Sequence, residues 1–277
     1  MQIKASIKKE LLAFLRSGKL LILTLVFIGW SILSPLILWG MGRLMNAFSP
    51  VYDEIGMDVT GVASMFGSSA SIGVSSAISE LSGVCLIVFL LLINSYAGGE
   101  QKKRSIMIPR SAGLRSLSYI FPKFVVYPPT AFVLAIAGAF ASWGISSLVF
   151  EINDVTAQGV LIGGLLAGVC LMFYICAHLT LGTATGQAGM SSAVCIAASM
   201  LLPSIFAMTG DDYMYNPFTL NIVASSSVQP GALSAFDATD VIMSVVIAIG
   251  IMTILHFIAL FAQNARKVDN SGNEIRL

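Results

Sequence analysis

Charge is scarce in this sequence. Across 277 residues only 10% are Asp, Glu, Lys or Arg, and the mean hydropathy is +0.87. Soluble domains carry about 25% charged residues, so a water-soluble fold is excluded and an integral membrane protein is expected. No G-x-x-x-x-G-K-[ST] loop occurs, so the chain has no phosphate cradle for a nucleotide of its own. Neither H-E-x-x-H nor C-x-x-C is present. The four cysteines, Cys85, Cys170, Cys176 and Cys195, all fall in apolar runs and are expected to pack rather than bridge or bind metal. The two histidines, His178 and His256, also fall in apolar runs, and hydrogen-bonded packing is the expected role for each. The interiors of the apolar runs hold no carboxylate. Proton-coupled carriers usually need one there, which argues against an ion-coupled pump. No catalytic constellation and no metal-ligand set is expected, and nothing in the pattern points to nucleic acid.

What is present is length in the apolar runs. Six reach the 17–25 residues of a transmembrane helix: 20–40, 81–97, 124–150, 157–181, 191–208 and 241–262. The expected fold is therefore all-α and polytopic, a single transmembrane domain over 1–277. Residues 1–19 read differently. Ile3, Ile7, Leu11, Phe14 and Leu15 recur at helical spacing, while Lys4, Lys8, Lys9 and Arg16 fall mainly elsewhere on the wheel. That pattern predicts an amphipathic helix lying in the membrane interface. The basic region is too long, and a small-residue cleavage site too plainly missing, for a signal peptide.

The charges that do occur are segregated. With the N-terminus in the cytoplasm, 14 of the 15 basic residues fall on the cytoplasmic side and only Arg43 lies outside. The external segments hold Asp53, Glu54, Asp58, Glu80, Glu151, Asp154, Asp211, Asp212, Asp237 and Asp240. Basic residues near span ends are retained inside, so both termini are expected in the cytoplasm of a cell (plasma or inner) membrane. Lys102, Lys103, Arg104, Arg110 and Arg115 crowd into the segment 98–123 between spans two and three, around the apolar knot Ile106, Met107 and Ile108.

Two more features stand out. Residues 61–79 are mostly Gly, Ala and Ser, too weakly apolar to span alone; an external loop, an external helix or an outer extension of span two all fit. Residues 203–240 form a long connection before span six. Within it, "YMYNPFTLNIV" is too aromatic for open water and too short to cross. A re-entrant pair of short helices is expected there, with Asn216-Pro217 starting one of them.

An amphipathic N-terminal helix, six spans and a basic segment between spans two and three together resemble the ABC-2 type permease family, the membrane subunits of ATP-binding cassette exporters. The residues carrying the likeness are Glu100, then "RSIMIPRSAG" with Pro109, then "SYIFPKF" with Lys123, and Asn216-Pro217 before the last span. Where the family often has a Gly-Thr pair after the glutamate, this chain has Lys103-Arg104-Ser105. The resemblance implies a permease working as a dimer, with a second copy or a homologue, on two cytoplasmic ATPase subunits. ATP and Mg would be bound by those partners and no cofactor by this chain. It implies a coupling helix over Glu100, Arg104, Ile106, Met107, Ile108, Pro109 and Arg110. It implies an exit element at Tyr213, Tyr215, Asn216, Pro217 and Phe218. Ser, Thr, Asn94 and Gln187 in or beside the spans suit a hydrophobic or amphipathic cargo. A permease serving cofactor or metal-site maturation with an external partner, and a non-transporting scaffold or sensor, are the alternatives.

Overall fold

The computed structural model describes residues 2–54, 69–100, 115–208, 216–231, 237–268 and 274–276. It is helical apart from a short antiparallel ribbon pairing Arg266–Val268 with Glu274–Arg276. The helices are α1 (Gln2–Arg16), α2 (Lys19–Glu54), α3 (the continuous run Ala70–Gly99), α4 (Ser116–Val149), α5 (Ala157–Thr185), α6 (Ala188–Ala207), α7 (Leu220–Ser226) and α8 (Ala238–Asn264). Six of them, α2 to α6 and α8, are long and apolar enough to cross a membrane. The chain is thus a multi-pass membrane protein by length and composition. The contacts Lys19–Ser95, Ser34–Ser76, Ser69–Asp154 and Gly98–Gly182 run the first four spans in alternating directions, so the bundle has a basic end, with Lys19, Arg115 and Lys123, and an acidic end, with Glu151 and Asp154.

α5 is the most buried span and the hub of the bundle: α4, α6, α7 and α8 all pack on it. Helices in lipid gain little from hiding apolar area from one another, so close approach through small residues carries the packing. The glycines of α5 show this. A Cβ on Gly163 would come within 2.8 Å of the Ala224 carbonyl oxygen, and one on Gly159 within 2.9 Å of that of Ser227. On Gly164 it would meet Ala139 and Ile136, and on Gly168 the Phe132 ring at 2.6 Å. These four glycines are therefore spent on contacts within the chain. The large exposed side chains, among them Leu21, Leu25, Val133, Phe257 and Phe261, lie on the outside of the bundle.

The helix of the second span starts at Ala70, so for residues 70–79 the outer extension of span two is the reading that holds, while two other expectations need correction. Thirty residues at about 1.5 Å each give about 45 Å, longer than the ~30 Å hydrocarbon core. Its first turns are contact surface: Ala70, Val74, Ala77 and Ile78 are buried, and Gly73 lies under the Phe150 ring. The same continuity puts Glu80 inside the second helix rather than in a connection. The third span starts at Ser116, so Lys123 lies within its helix instead of opening it. Pro122, Pro128 and Pro129 are all accommodated in α4, as proline often is in a membrane helix whose neighbours re-satisfy the freed backbone groups.

The four cysteines are buried and unbridged. His178 is buried, with Nδ1 2.9 Å from the Ser191 hydroxyl. His256 departs from the hydrogen-bonded role. It packs edge-on against Phe121 and Phe124, at centroid distances of 5.8 and 4.8 Å.

Candidate functional site

α3 contains two π-helical turns, Leu81–Cys85 and Ser95–Gly99. The second ends at Glu100. There the Glu100 N–H reaches the Ser95 carbonyl, five residues back, bypassing the Tyr96 carbonyl that an α-helical turn would use. The Tyr96 oxygen accepts instead from the Lys123 ammonium at 2.6 Å. Lys123 also donates to Glu100 Oε2 at 2.7 Å and to the Tyr119 hydroxyl at 2.8 Å. All three of its hydrogens thus have an acceptor. Tyr119 in turn donates to the same Glu100 oxygen at 2.7 Å.

Lys123 is 3% exposed and Glu100 31%. A lone ammonium at that depth would be costly, and the pair persists because each charge is matched and hydrogen-bonded. Burial works to keep the Glu100 carboxyl neutral. The Lys123 charge, the hydrogen bonds from Lys123 and Tyr119, and the more distant Lys9 charge outweigh it and hold the carboxyl below its ordinary range.

The network reaches further. Tyr119, Lys123 and Tyr127 recur every fourth residue, which puts them along one face of α4. The Tyr127 hydroxyl donates to Glu10 Oε1 of α1 at 2.8 Å. Its ring stacks on Tyr96 at 5.0 Å and takes Phe14 of α1 edge-on at 5.2 Å. Lys19, at the start of α2, donates to the Ser95 hydroxyl at 2.7 Å and sits 4.2 Å from the centre of the Tyr96 ring. The amphipathic helix, span one, the π turn of span two and the first turns of span three therefore meet at one cluster at the basic end. α5 backs it closely: a Cβ on Gly98 would lie 2.6 Å from the Gly182 carbonyl oxygen, and one on Gly182 2.5 Å from that of Ala97. Just beyond, Gly186 ends α5 with φ +71, a conformation that favours glycine.

Of the coupling residues read from sequence, Glu100 falls in this cluster. Arg104, Ile106, Met107, Ile108, Pro109 and Arg110 lie outside the described residues. Lys123 is among the residues that carry the family likeness, but the sequence reading does not reach Tyr96, Tyr119, Tyr127 or Glu10. The four-residue spacing of Tyr119, Lys123 and Tyr127 was the available signal.

At the acidic end, Asp154 holds the start of α3. It accepts from the Ser69 hydroxyl at 2.6 Å, the Ser71 hydroxyl at 2.7 Å and the Ser71 N–H at 3.0 Å. A carboxylate at a helix N-terminus is favoured there. Partial burial opposes its ionisation, but these hydrogen bonds prevail and lower its pKa. Of the exit residues, Tyr213 and Tyr215 lie outside the described residues, and Asn216, Pro217 and Phe218 are in place. Asn216 Oδ1 accepts from the Phe218 N–H at 2.9 Å, and Pro217 opens a 3-10 turn, Pro217–Thr219, that runs into α7. The Phe218 ring stacks on Phe206 of α6 at 5.7 Å and meets Phe173 of α5 edge-on at 5.2 Å. α7 lies over Gly159 and Gly163. At seven residues it is too short to cross a bilayer.

No protein-family model matches the chain, and neither does any curated protein.

Proposed function

We propose that this chain is the permease subunit of an ATP-binding cassette exporter, oriented with its basic end and both termini in the cytoplasm. The observation that carries the reading is the Glu100–Lys123 pair. It joins the two helix ends that flank segment 101–114 and, through Tyr96 and Tyr127, ties them to the amphipathic helix. A soluble motor that pushes on a connection needs the ends of that connection fixed to the spans, or the push is lost in local bending. A cluster joining α1, α2, α3 and α4 can transmit a displacement to half of the spans. The apolar knot Ile106, Met107 and Ile108, flanked by Arg104 and Arg110, is suited to a groove with carboxylates at its rim. Two ATPase subunits would supply ATP hydrolysis. The cargo would be hydrophobic or amphipathic, leaving past Phe218 and α7 at the acidic end.

The test is to purify the tagged full-length chain from its native membranes and measure ATP hydrolysis in the isolated assembly. An ATPase that co-purifies with wild type and is lost with Ile106→Asp/Met107→Asp, at normal membrane insertion, supports the reading. An assembly without ATP hydrolysis supports a scaffold or sensor instead.

A further inference from the structure

The basic end has a second feature that the coupling cluster does not use. A cavity of about 600 Å³ opens between the first turn of α1 and the first turn of α4, lined by Gln2, Ile3, Lys4, Arg115, Leu117 and Ser118. It holds two cations and no carboxylate, and among the described residues neither Lys4 nor Arg115 has an ion-pair partner. Arg115 enters the 34-residue helix α4 with extended backbone and no side-chain cap. Among the described residues the first N–H groups of α4 have no side-chain acceptor, and they carry the positive end of the helix dipole. Ser118, 4% exposed, lines the cavity and makes no hydrogen bond among the described residues. Two free cations, uncapped N–H groups and an unengaged hydroxyl form a donor set for a phosphate.

The surface beyond the cavity says what the phosphate is attached to. Leu117, Phe121 and Val125 are 43%, 36% and 39% exposed. They recur every fourth residue along α4, so an apolar track leads from the cavity down the span. Free phosphate has no use for such a track, whereas an acyl chain does. We propose that this cleft binds the headgroup of an anionic phospholipid, with the phosphate between Lys4 and Arg115 and one acyl chain along Leu117, Phe121 and Val125. A bound lipid would pin the start of α1 to α4, beside the cluster that Glu10, Phe14 and Tyr127 form.

Native mass spectrometry of the full chain released from detergent micelles tests this with three separate probes: dioleoylphosphatidylglycerol, dioleoylphosphatidylcholine and inorganic phosphate. The expected result is one retained phosphatidylglycerol, in preference to phosphatidylcholine, with inorganic phosphate not retained. Lys4→Gln should weaken retention about fivefold, and Lys4→Gln/Arg115→Gln more than about tenfold. Lys8→Gln/Arg16→Gln removes the same amount of charge from α1 but outside the cleft, and should change retention less than about twofold. Equal losses from both charge pairs would reduce the site to diffuse attraction and overturn it. So would equal retention of phosphatidylcholine, or retention of inorganic phosphate at the level of the lipid. None of these readouts requires an ATPase partner, so the lipid site stands or falls separately from the exporter reading.

Discussion

Replacing Glu100 with Gln keeps the side chain's shape and one carbonyl acceptor but removes the negative charge. Lys123, 3% exposed and bound to the Tyr96 carbonyl at 2.6 Å, would then be a buried cation with only neutral partners. Removing one member of a buried ion pair typically costs about 3–5 kcal/mol. Glu100 is 31% exposed and Gln retains an acceptor, so the cost falls at or below the lower end of that range, about 2–3 kcal/mol. Lys123→Met leaves a carboxylate that can still turn to water and accept from Tyr119, so it should cost less. The double variant removes both charges and fills the space with methylenes. It should be more stable than the sum of the single losses, with a coupling of about 1.5–2 kcal/mol. The assay is thermal or denaturant unfolding of the purified chain in detergent, in a double-mutant cycle at pH 7. Each kcal/mol should move Tm by roughly 2 °C in a chain of this size. Additive single-variant effects, within about 0.5 kcal/mol, would refute the pairing.

Gly98→Ala places a methyl 2.6 Å from the Gly182 carbonyl oxygen, a backbone atom that cannot swing away, so it should destabilise by about 1–3 kcal/mol, whereas Gly144→Ala, with nothing within 4 Å, should not; equal melting temperatures would contradict the contact. Asp154→Asn should cost about 1 kcal/mol at neutral pH. The folded-state pKa of Asp154 is lowered, so its contribution is complete above the ordinary carboxylate range and fades as pH falls through the lowered value; unfolding curves of wild type and Asp154→Asn should therefore converge below about pH 4, and a constant difference would contradict the cradle. For orientation, a cysteine placed at Asp211 should be labelled from outside intact cells and one at Arg104 should not, while labelling of both from one side would remove the six-span topology.

How legible all this was depended on which force positions each element. The spans could be read because lipid requires long apolar runs. The start of the second span could not, because "ASIGVSSAISE" is chosen for contact and not for hydropathy. Gly73 fits under Phe150, and Ser71 answers Asp154 from 83 residues away. The start of the third span was hidden by Pro122, Pro128 and Pro129, which signal a break in a soluble helix but not in a packed membrane one. In the cluster, Glu100 and Lys123 each attracted attention alone. Their union depends on a π turn that shifts the hydrogen-bond ladder by one residue at Ser95–Gly99, and no residue pattern reports that shift. The α5 glycines could not be assigned partners from sequence; the positions of Ala224, Ser227, Ile136 and Phe132 supply them.

The central claim is that the segment flanked by Glu100 and Lys123 meets a cytoplasmic ATPase. The most direct measurement is a photo-cross-linking amino acid at Met107 in the full-length chain in living cells, with the same group at Ile205 of α6 as a control. The account predicts a cross-linked partner from Met107 alone, identified by peptide sequencing as a protein carrying a G-x-x-x-x-G-K-[ST] nucleotide-binding loop. An adduct to a partner without that loop, or the same adducts from Ile205, would contradict it.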